Sequence, residues 1–253
     1  MADSAGHAVV TGGSSGIGLA VVGRLLGRGL GVTVVDTQPM RARPGSAREA
    51  VLQEFLVDVT DEKAMREALD EAAARAGTAP NLLVTSHGIR GGFVPALDLD
   101  LAVCRRVLDV HATGTLVAAR SLVRCMERAP GGPPPGGSIV TVSSTTAYGG
   151  WANQADYGVA KAAVRQLTQN LAVEWAPRGI RVNSVAPGHT LTPMVQEMID
   201  QGYDVSPTEA RTPLGRLCTP DEMAAAIEFL LMDASFSTGV CMPVDGGWTA
   251  VGK

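Results

Sequence analysis

The sequence predicts an α/β fold, in which a doubly wound parallel sheet of seven strands carries helices on both faces in a single domain over residues 1–253. Strand-like apolar runs alternate with helical stretches along the chain, an order typical of such a sheet. A glycine-rich turn follows the first apolar run, and hydrophobic residues make up 45% of the composition. This length suffices to bury one large core, and no internal repeat is visible.

The N-terminal segment HAVVTGGSSGIG (7–18) has the order strand, glycine loop, helix. Ala8–Val10 is apolar, and apolar residues recur with helical spacing over Ile17–Leu26. Gly12, Gly16 and Gly18 allow the backbone to turn tightly and to approach a pyrophosphate. The N-terminus of the following helix would supply free N–H groups and the positive end of a dipole.

The second strand, GVTVVD (31–36), ends in Asp36. A carboxylate there can accept hydrogen bonds from both ribose hydroxyls of an adenosine and repels a 2′-phosphate. Arg41 and Arg43 follow slightly later and are interpreted as solvated loop charges. The sequence therefore favours NAD as cofactor, with an NADP-dependent ketoreductase as the alternative.

The remaining elements continue the alternation. Further strands are predicted at 54–59, 81–86, 138–143, 180–186 and 239–244. Helices are predicted at 61–76, within 97–128, at 154–176 and at 220–232, the first of them begun by Asp61. The proline- and glycine-rich segment 130–137 is interpreted as an exposed connection. Residues 189–217 lack clear periodicity and are predicted to form a lid over the substrate.

Ser144, Tyr157 and Lys161 form the candidate chemical centre. Tyr157 and Lys161 share one face of the predicted helix. A lysine cation beside a phenol favours the phenolate, so we expect Lys161 to lower the pKa of Tyr157 from its usual value of about 10. A serine hydroxyl can steady the same substrate oxygen, which makes a proton-transfer site for an alcohol and a ketone.

Composition excludes several other classes of function. The net charge of −4 gives no electrostatic basis for binding nucleic acid, and no apolar run reaches the length of a membrane span. The N-terminus lacks the pattern of a signal peptide, and the four scattered cysteines are typical of reduced thiols, so a cytoplasmic location is expected. The four histidines are far apart in sequence, and no metal is predicted.

Five motifs in this order resemble the short-chain dehydrogenase/reductase family: TGGSSGIG (11–18), the serine of VSS (142–144), YGVAK (157–161), NSVAPG (183–188) and VDGG (244–247). The resemblance covers nearly the whole chain. It implies a Rossmann-like fold, hydride transfer with NAD or NADP, and a homotetramer or dimer. In the family the tyrosine is the acid/base, the lysine also binds the nicotinamide ribose, and the serine orients the substrate oxygen.

The resemblance also assigns residues to the cofactor. Asp58 would contact the adenine, although the end of a strand is also a common place for a carboxylate that caps its own turn. Thr192 would hold the nicotinamide carboxamide. The predicted cofactor-binding residues are Gly12, Ser14, Ser15, Gly16, Ile17, Gly18, Asp36, Asp58, Val59, Gly88, Tyr157, Lys161, Pro187, Gly188, Thr190 and Thr192.

Two histidines depart from the family pattern. His87 lies in TSHG, where relatives carry a small residue, and is interpreted as packing between helix and sheet; the alternative is contact with the cofactor. His111 replaces an asparagine that in the family sits at a helix distortion and takes part in a proton path beyond the lysine. His111 therefore joins the catalytic set, and either preserves that path through its ring hydrogen bonds or alters it.

The substrate itself is not identified by the sequence. The segments that border the substrate in relatives contain Arg90, Thr145, Trp151, His189 and Met194. Arg90 would recognise a carboxylate or phosphate, or is an ordinary exposed arginine; Trp151 would line an apolar pocket, or covers the core. A non-catalytic NAD-binding regulator is the remaining alternative, but it would have no use for Ser144, Tyr157 and Lys161 together.

Overall fold

A computed structural model describes residues 6–43, 52–130, 132, 134 and 136–251 of the chain. One parallel sheet of seven strands has the order β3-β2-β1-β4-β5-β6-β7. The strands are β1 His7–Thr11, β2 Gly31–Asp36, β3 Leu52–Leu56, β4 Leu82–Thr85, β5 Gly137–Val142, β6 Ile180–Pro187 and β7 Cys241–Val244. The predicted fold class is confirmed. Strand order reverses between β1 and β4, the point at which such sheets open a binding crevice.

The helices cover both faces of the sheet. They are α1 Gly16–Gly27, α2 Glu62–Ala76, α3 Leu101–Leu108, α4 Gly114–Glu127, α5 Tyr157–Trp175, α6 Pro193–Asp200, α7 Ser206–Arg211 and α8 Pro220–Glu228. Because strand side chains alternate, Val10 faces a core that α1 and α8 complete, while its neighbour Val9 faces one completed by α2, α4 and α5. Each fully buried leucine or valine contributes about 1.5–3 kcal/mol.

Local capping sets where several helices begin. The Asp61 side chain accepts from Ala64 N at the start of α2, as predicted. Thr219 and Glu222 form a reciprocal capping box at the start of α8. Glu228, buried at the end of α8, forms ion pairs with Arg24 of α1 and with Arg28, the residue that follows α1, so the two helices on that face are joined by two ion pairs as well as by apolar packing.

Three boundaries differ from the sequence prediction in ways that matter for the site. The third strand ends at Leu56, so Asp58 and Val59 lie in the turn beyond it. The helix expected within 97–128 is interrupted by a π-helical turn at Asp109–Thr113. The helix expected from residue 154 begins at Tyr157, because the Asp156 carboxylate accepts from the Tyr157 N–H and ends the preceding loop. Part of the connection 130–137 lies outside the described residues.

Candidate active site

In the glycine turn between β1 and α1, backbone atoms approach so closely that a side chain at Gly12 or Gly18 would clash with them. A Cβ on Gly12 would lie 2.5 Å from His87 N, and one on Gly18 would lie 2.0 Å from Gly12 O. Gly12 and Gly16 also have positive φ angles of 69° and 53°. Ser15 begins α1 without a side-chain cap, which leaves the first N–H groups of the helix free for an anion. The turn fits the pyrophosphate of a dinucleotide.

Asp36 ends β2 next to this turn. Its carboxylate accepts from Ser14 N at 3.1 Å and from Gln38 N at 3.2 Å, and Ser14 Oγ donates to Gln38 O at 2.7 Å. Arg41 and Arg43 face other carboxylates, Glu197 at 3.7 Å and Glu54 at 3.8 Å. The negative group nearest the glycine turn is therefore held in place by main-chain donors, with the two arginines directed elsewhere.

Asp58 forms contacts within the fold. Its carboxylate accepts from the N–H and the hydroxyl of Thr60 and from Arg106 at 2.8 Å. These bonds outweigh its partial burial and lower the pKa of Asp58 to about 2. The turn-capping role that the sequence left open for Asp58 is thus present, and Val59 beside it is buried against the start of α4.

Ser144, Tyr157 and Lys161 converge beyond the carboxyl end of β5. Ser144 follows that strand and begins a short 3₁₀ helix at Thr145–Ala147, while Tyr157 is the first residue of α5. One helical turn later, Lys161 Nζ donates to Val142 O at 2.8 Å. The neighbouring Ser143 hydroxyl donates to Lys161 O at 2.8 Å, so strand and helix are bonded at the lysine.

The lowering of the Tyr157 pKa that the sequence predicts is not found. Burial raises the pKa of Tyr157 to about 12, and the facing Ser144 hydroxyl offsets only part of this. Lys161 Nζ lies over the phenol ring, 5.5 Å from its centroid, and donates to Val142 O. Burial lowers the pKa of Lys161 to about 7. The helical spacing places both side chains on one face, but their desolvation dominates both pKa values.

His87 packs between sheet and helix, as its sequence interpretation states. Its Nε2 lies 3.1 Å from Val110 O, which can only accept, so Nε2 carries the hydrogen. Nδ1 therefore accepts from the Thr11 hydroxyl at 2.6 Å. The ring links the end of β1 to the turn that carries His111.

His111 is buried beside Tyr157. The two ring centroids lie 5.3 Å apart at 86°, an edge-to-face contact. His111 Nε2 lies 2.9 Å from Ile89 O and 3.3 Å from Ile89 N; the shorter contact is to an oxygen that can only accept, so Nε2 donates to it. Among the described residues, the buried Nδ1 of His111 has no hydrogen-bond partner. A Cβ on Gly88 would lie 2.5 Å from the ring, so the glycine that was predicted to border the cofactor also makes room for His111.

Stability is expected to fall as the pH falls below about 6.5. Burial lowers the pKa of all four histidines, His87 to about 4 and His111 to about 2. Below this pH the histidines bind protons in the unfolded chain but stay neutral in the folded chain, and this difference favours unfolding. In His87→Asn, the slope of the unfolding free energy against pH should be smaller by about 1.4 kcal/mol per pH unit between about pH 6 and pH 4.5. Urea titrations across this range test this, and equal slopes for both proteins would contradict it.

The segment after β6 returns to the glycine turn. Thr192 begins α6, its Oγ1 accepting from Val195 N at 3.4 Å, and its methyl group would lie 3.5 Å from a Cβ on Gly16. Thr190 donates to Gly188 O, the residue after Pro187. Helices α6 and α7 lie within the predicted lid, and Met194 on α6 is half-exposed.

Of the predicted substrate residues, the structure joins Trp151 and His189 in an aromatic cluster. Their ring centroids are 5.8 Å apart, and Trp248 contacts both, stacking on Trp151 at 5.2 Å. Arg211 of α7 lies 3.8 Å over the Trp248 ring. Thr145 is buried beside Ser144, whereas Arg90 is exposed and lies over the Phe93 ring at 5.8 Å.

Sequence reasoning missed Trp248 and Asp156. Trp248 directly follows VDGG (244–247), and Asp156 directly precedes Tyr157, so each adjoins one of the five sequence motifs.

Within the described ranges, no helix combines the length and apolar character needed to cross a membrane, and no three potential ligand side chains gather as a metal site.

Comparison with known proteins gives the family. Residues 12–249 match the family model described as enoyl-(acyl carrier protein) reductase. The chain is 41% identical to cis-4-hydroxycyclohexanecarboxylate dehydrogenase of Sinomonas cyclohexanicum, over 96% of each chain. It is 38% identical to galactitol 2-dehydrogenase (L-tagatose-forming) of Cereibacter sphaeroides, over 96% of this chain and 94% of that protein. The structure of ElxO with NADP bound superposes with a TM-score of 0.87 at 27% identity, covering 97% of this chain and 99% of that one. The chain therefore belongs to the short-chain dehydrogenase/reductase family and is an oxidoreductase whose fold binds a nicotinamide cofactor.

Proposed function

We propose that this protein is an NAD-dependent dehydrogenase that interconverts a secondary alcohol and a ketone, with Tyr157 as the acid/base. The observation that carries the proposal is the convergence of Ser144, Tyr157 and Lys161 at the carboxyl edge of the sheet, the edge on which the glycine turn also lies. A nucleotide-binding regulator would need the turn alone. Relatives that act on a hydroxycyclohexanecarboxylate and on galactitol support an alcohol substrate.

The cofactor would lie across this edge. Gly12, Gly18 and the free N–H groups of α1 would hold the pyrophosphate, and Asp36 the adenosine ribose. The bound nicotinamide would accept hydride from the alcohol carbon or return it to the ketone. NAD is preferred because Asp36 would repel a 2′-phosphate and because Arg41 and Arg43 pair with other carboxylates. The binding of NADP by ElxO, at 27% identity, makes NADP the alternative to test.

The chain's own residues would handle the proton. In alcohol oxidation, Tyr157 in its phenolate form takes the hydroxyl proton, and in ketone reduction the phenol returns it. Ser144 donates to the substrate oxygen and holds it beside the phenol. Since the pKa of Lys161 lies near 7, the lysine gains or loses its charge within the physiological range. In its charged form it favours the phenolate and so lowers the cost of proton uptake by Tyr157.

The aromatic cluster supports a ring-shaped substrate. Trp151 and His189 are partly exposed, and both contact the buried Trp248, so three separate segments build the cluster close to the post-β6 segment. A panel of cis-4-hydroxycyclohexanecarboxylate, cyclohexanol and galactitol, assayed by NADH absorbance, tests both the activity and the class. Oxidation of cyclic alcohols in preference to galactitol is expected. Absence of NADH formation with the panel and with further secondary alcohols would contradict the proposed activity.

His111→Asn is expected to leave an active enzyme, with kcat/KM within roughly tenfold of the original. The ring contacts Tyr157 only by its edge, and its Nε2 bond is to Ile89 O rather than to the phenol hydroxyl, so the substitution leaves Ser144, Tyr157 and Lys161 in place. Steady-state kinetics of alcohol oxidation measure the effect. A loss of several orders of magnitude would show that the imidazole itself acts in catalysis.

We also propose a cytoplasmic homotetramer or homodimer. Apolar side chains remain exposed on α3 and α5, with Leu101 at 62%, Val159 at 55% and Val173 at 79% exposure, which favours burial against another copy. The four cysteines are free, in agreement with a reducing compartment. Light scattering of the purified protein tests the assembly, and a monomeric mass at micromolar concentration would contradict it.

A further inference from the structure

Asp156 is a buried carboxylate that bonds two separate parts of the chain. Its side chain accepts from its neighbour Tyr157 N at 2.6 Å and from Gly92 N at 2.7 Å, and the residue is 1% exposed. Among the described residues it forms no ion pair, so backbone N–H groups alone compensate its burial. Such bonds to an ionised acceptor are about twice as strong as neutral ones.

The other aspartates that begin helices differ from Asp156. Asp61 accepts from Ala64 N and Asp100 from Ala102 N, and both are exposed. Each satisfies a donor of its own helix, which is the ordinary work of a cap. Asp156 does this for α5 but also bonds the loop after β4. Its burial is therefore not explained by capping.

The loop Gly88–Gly92 is held at both ends beside Tyr157. At one end, Ile89 O accepts from His111, whose ring contacts the Tyr157 ring. At the other end, a Cβ on Gly91 would lie 2.7 Å from Asp156 Oδ1, so the loop approaches the carboxylate as closely as glycine permits. Phe93, the next residue after the loop, has a positive φ of 55°, a strained conformation that tends to occur at functional sites.

We infer that Asp156 is a positioning residue, whose carboxylate holds the loop Gly88–Gly92 against the first turn of α5 and thereby sets the substrate's place relative to the Tyr157 hydroxyl. This inference rests on the proposed role of Tyr157 as acid/base. Arg90, at the centre of the loop, is exposed between the two anchored ends. A loop released from Asp156 would still leave the cofactor residues of β1, β2 and α1 in place, and Gly88 lies at the end of the loop that His111 holds, so substrate handling should suffer before NAD binding.

The test uses three variants: Asp156→Ala, Gly91→Ala and the double variant that combines them. Asp100→Ala, which removes a helix cap outside the site, is the matched control. Asp156→Ala should lower kcat/KM for the alcohol by roughly tenfold to hundredfold, mostly through a higher KM, since a released loop no longer helps to hold the substrate in its ground state or its transition state. The Kd for NAD should stay within about twofold. Gly91→Ala should reproduce this effect by pushing the carboxylate away, and should cost little more once Asp156 is alanine. Asp100→Ala should leave kcat and KM unchanged.

Hydrogen exchange distinguishes failure of this inference from failure of the proposed function. In Asp156→Ala the Gly92 and Tyr157 amides should lose protection together, whatever the enzyme acts on. Unchanged protection, or unchanged kcat and KM in a folded Asp156→Ala, would overturn the inference. If Asp156→Ala does not fold, Gly91→Ala gives the same measurements with the carboxylate present, and wild-type KM there would overturn it equally. Turnover retained by Tyr157→Phe would instead reject the role of Tyr157 as acid/base. The exchange result would still report on the bonds from Asp156 to the Gly92 and Tyr157 amides.

Discussion

Replacing Tyr157 with phenylalanine is expected to lower kcat/KM for alcohol oxidation by about 10³-fold, within the range that general acid–base groups contribute. The phenol hydroxyl is the group that would take the substrate proton, and phenylalanine keeps the ring that packs edge-on against His111. Folding should be preserved for that reason. NAD affinity, measured by fluorescence titration, should change by no more than about threefold.

Tyr148→Phe is the matched control for this prediction. It also removes one phenol hydroxyl, but that hydroxyl donates to Cys241 O at 2.6 Å, at the start of β7. Turnover within about twofold of the original is expected for it. Near-normal turnover in Tyr157→Phe with intact NAD binding would show that the proton is handled elsewhere. A loss of equal size in both variants would indicate general damage to the fold.

Asp36→Ala is expected to have the second largest effect, on the choice between cofactors. Loss of charge-assisted bonds to the ribose should raise the Kd for NAD by about tenfold to hundredfold, since such bonds contribute about 1.5–3 kcal/mol. Removing the negative charge should at the same time improve NADP binding. Together these changes should reduce the preference for NAD over NADP by at least about a hundredfold. Titration of both cofactors, followed by steady-state kinetics, measures this ratio.

Two further variants separate charge from loop geometry. Asp36→Asn keeps an oxygen that can accept from Ser14 N, so a change of preference in Asp36→Asn reports on charge. Asp221→Asn changes an exposed carboxylate on α8 that pairs with Arg24, and should leave both cofactor affinities unchanged. Tight binding of NADP by the unmodified protein would contradict the role assigned to Asp36.

Much of the fold could be predicted because its signals are local. The alternation of apolar runs, the glycine turn and the Asp61 cap each depend on neighbours within a few residues, and the sheet contains all seven expected strands. Boundaries were less predictable. Nothing in QADYGV shows that Asp156 ends the loop and starts the helix at Tyr157, because its second partner, Gly92, lies far away in the chain.

The pKa values of the candidate site were the least predictable property. Helical spacing places Lys161 and Tyr157 together, yet it says nothing about how much water each retains. Burial raises the pKa of Tyr157 to about 12 and lowers that of Lys161 to about 7. These shifts favour the uncharged form of each group, whereas attraction between a lysine cation and a phenolate would shift both pKa values in the opposite directions. The bonds of His87 to Thr11 and Val110 likewise join three segments that are distant in sequence.

The amino-acid sequence alone was enough for the fold class, the glycine turn, the acidic end of β2 and the spacing of Ser144, Tyr157 and Lys161, since these follow from periodicity and backbone freedom. Tertiary structure decided which distant groups meet: Trp248 with Trp151, His111 with Tyr157 and Asp156 with Gly92. It also decided which of them lose their water. Contacts between distant segments and desolvation both depend on how the layers pack, and no local pattern of residues encodes that packing.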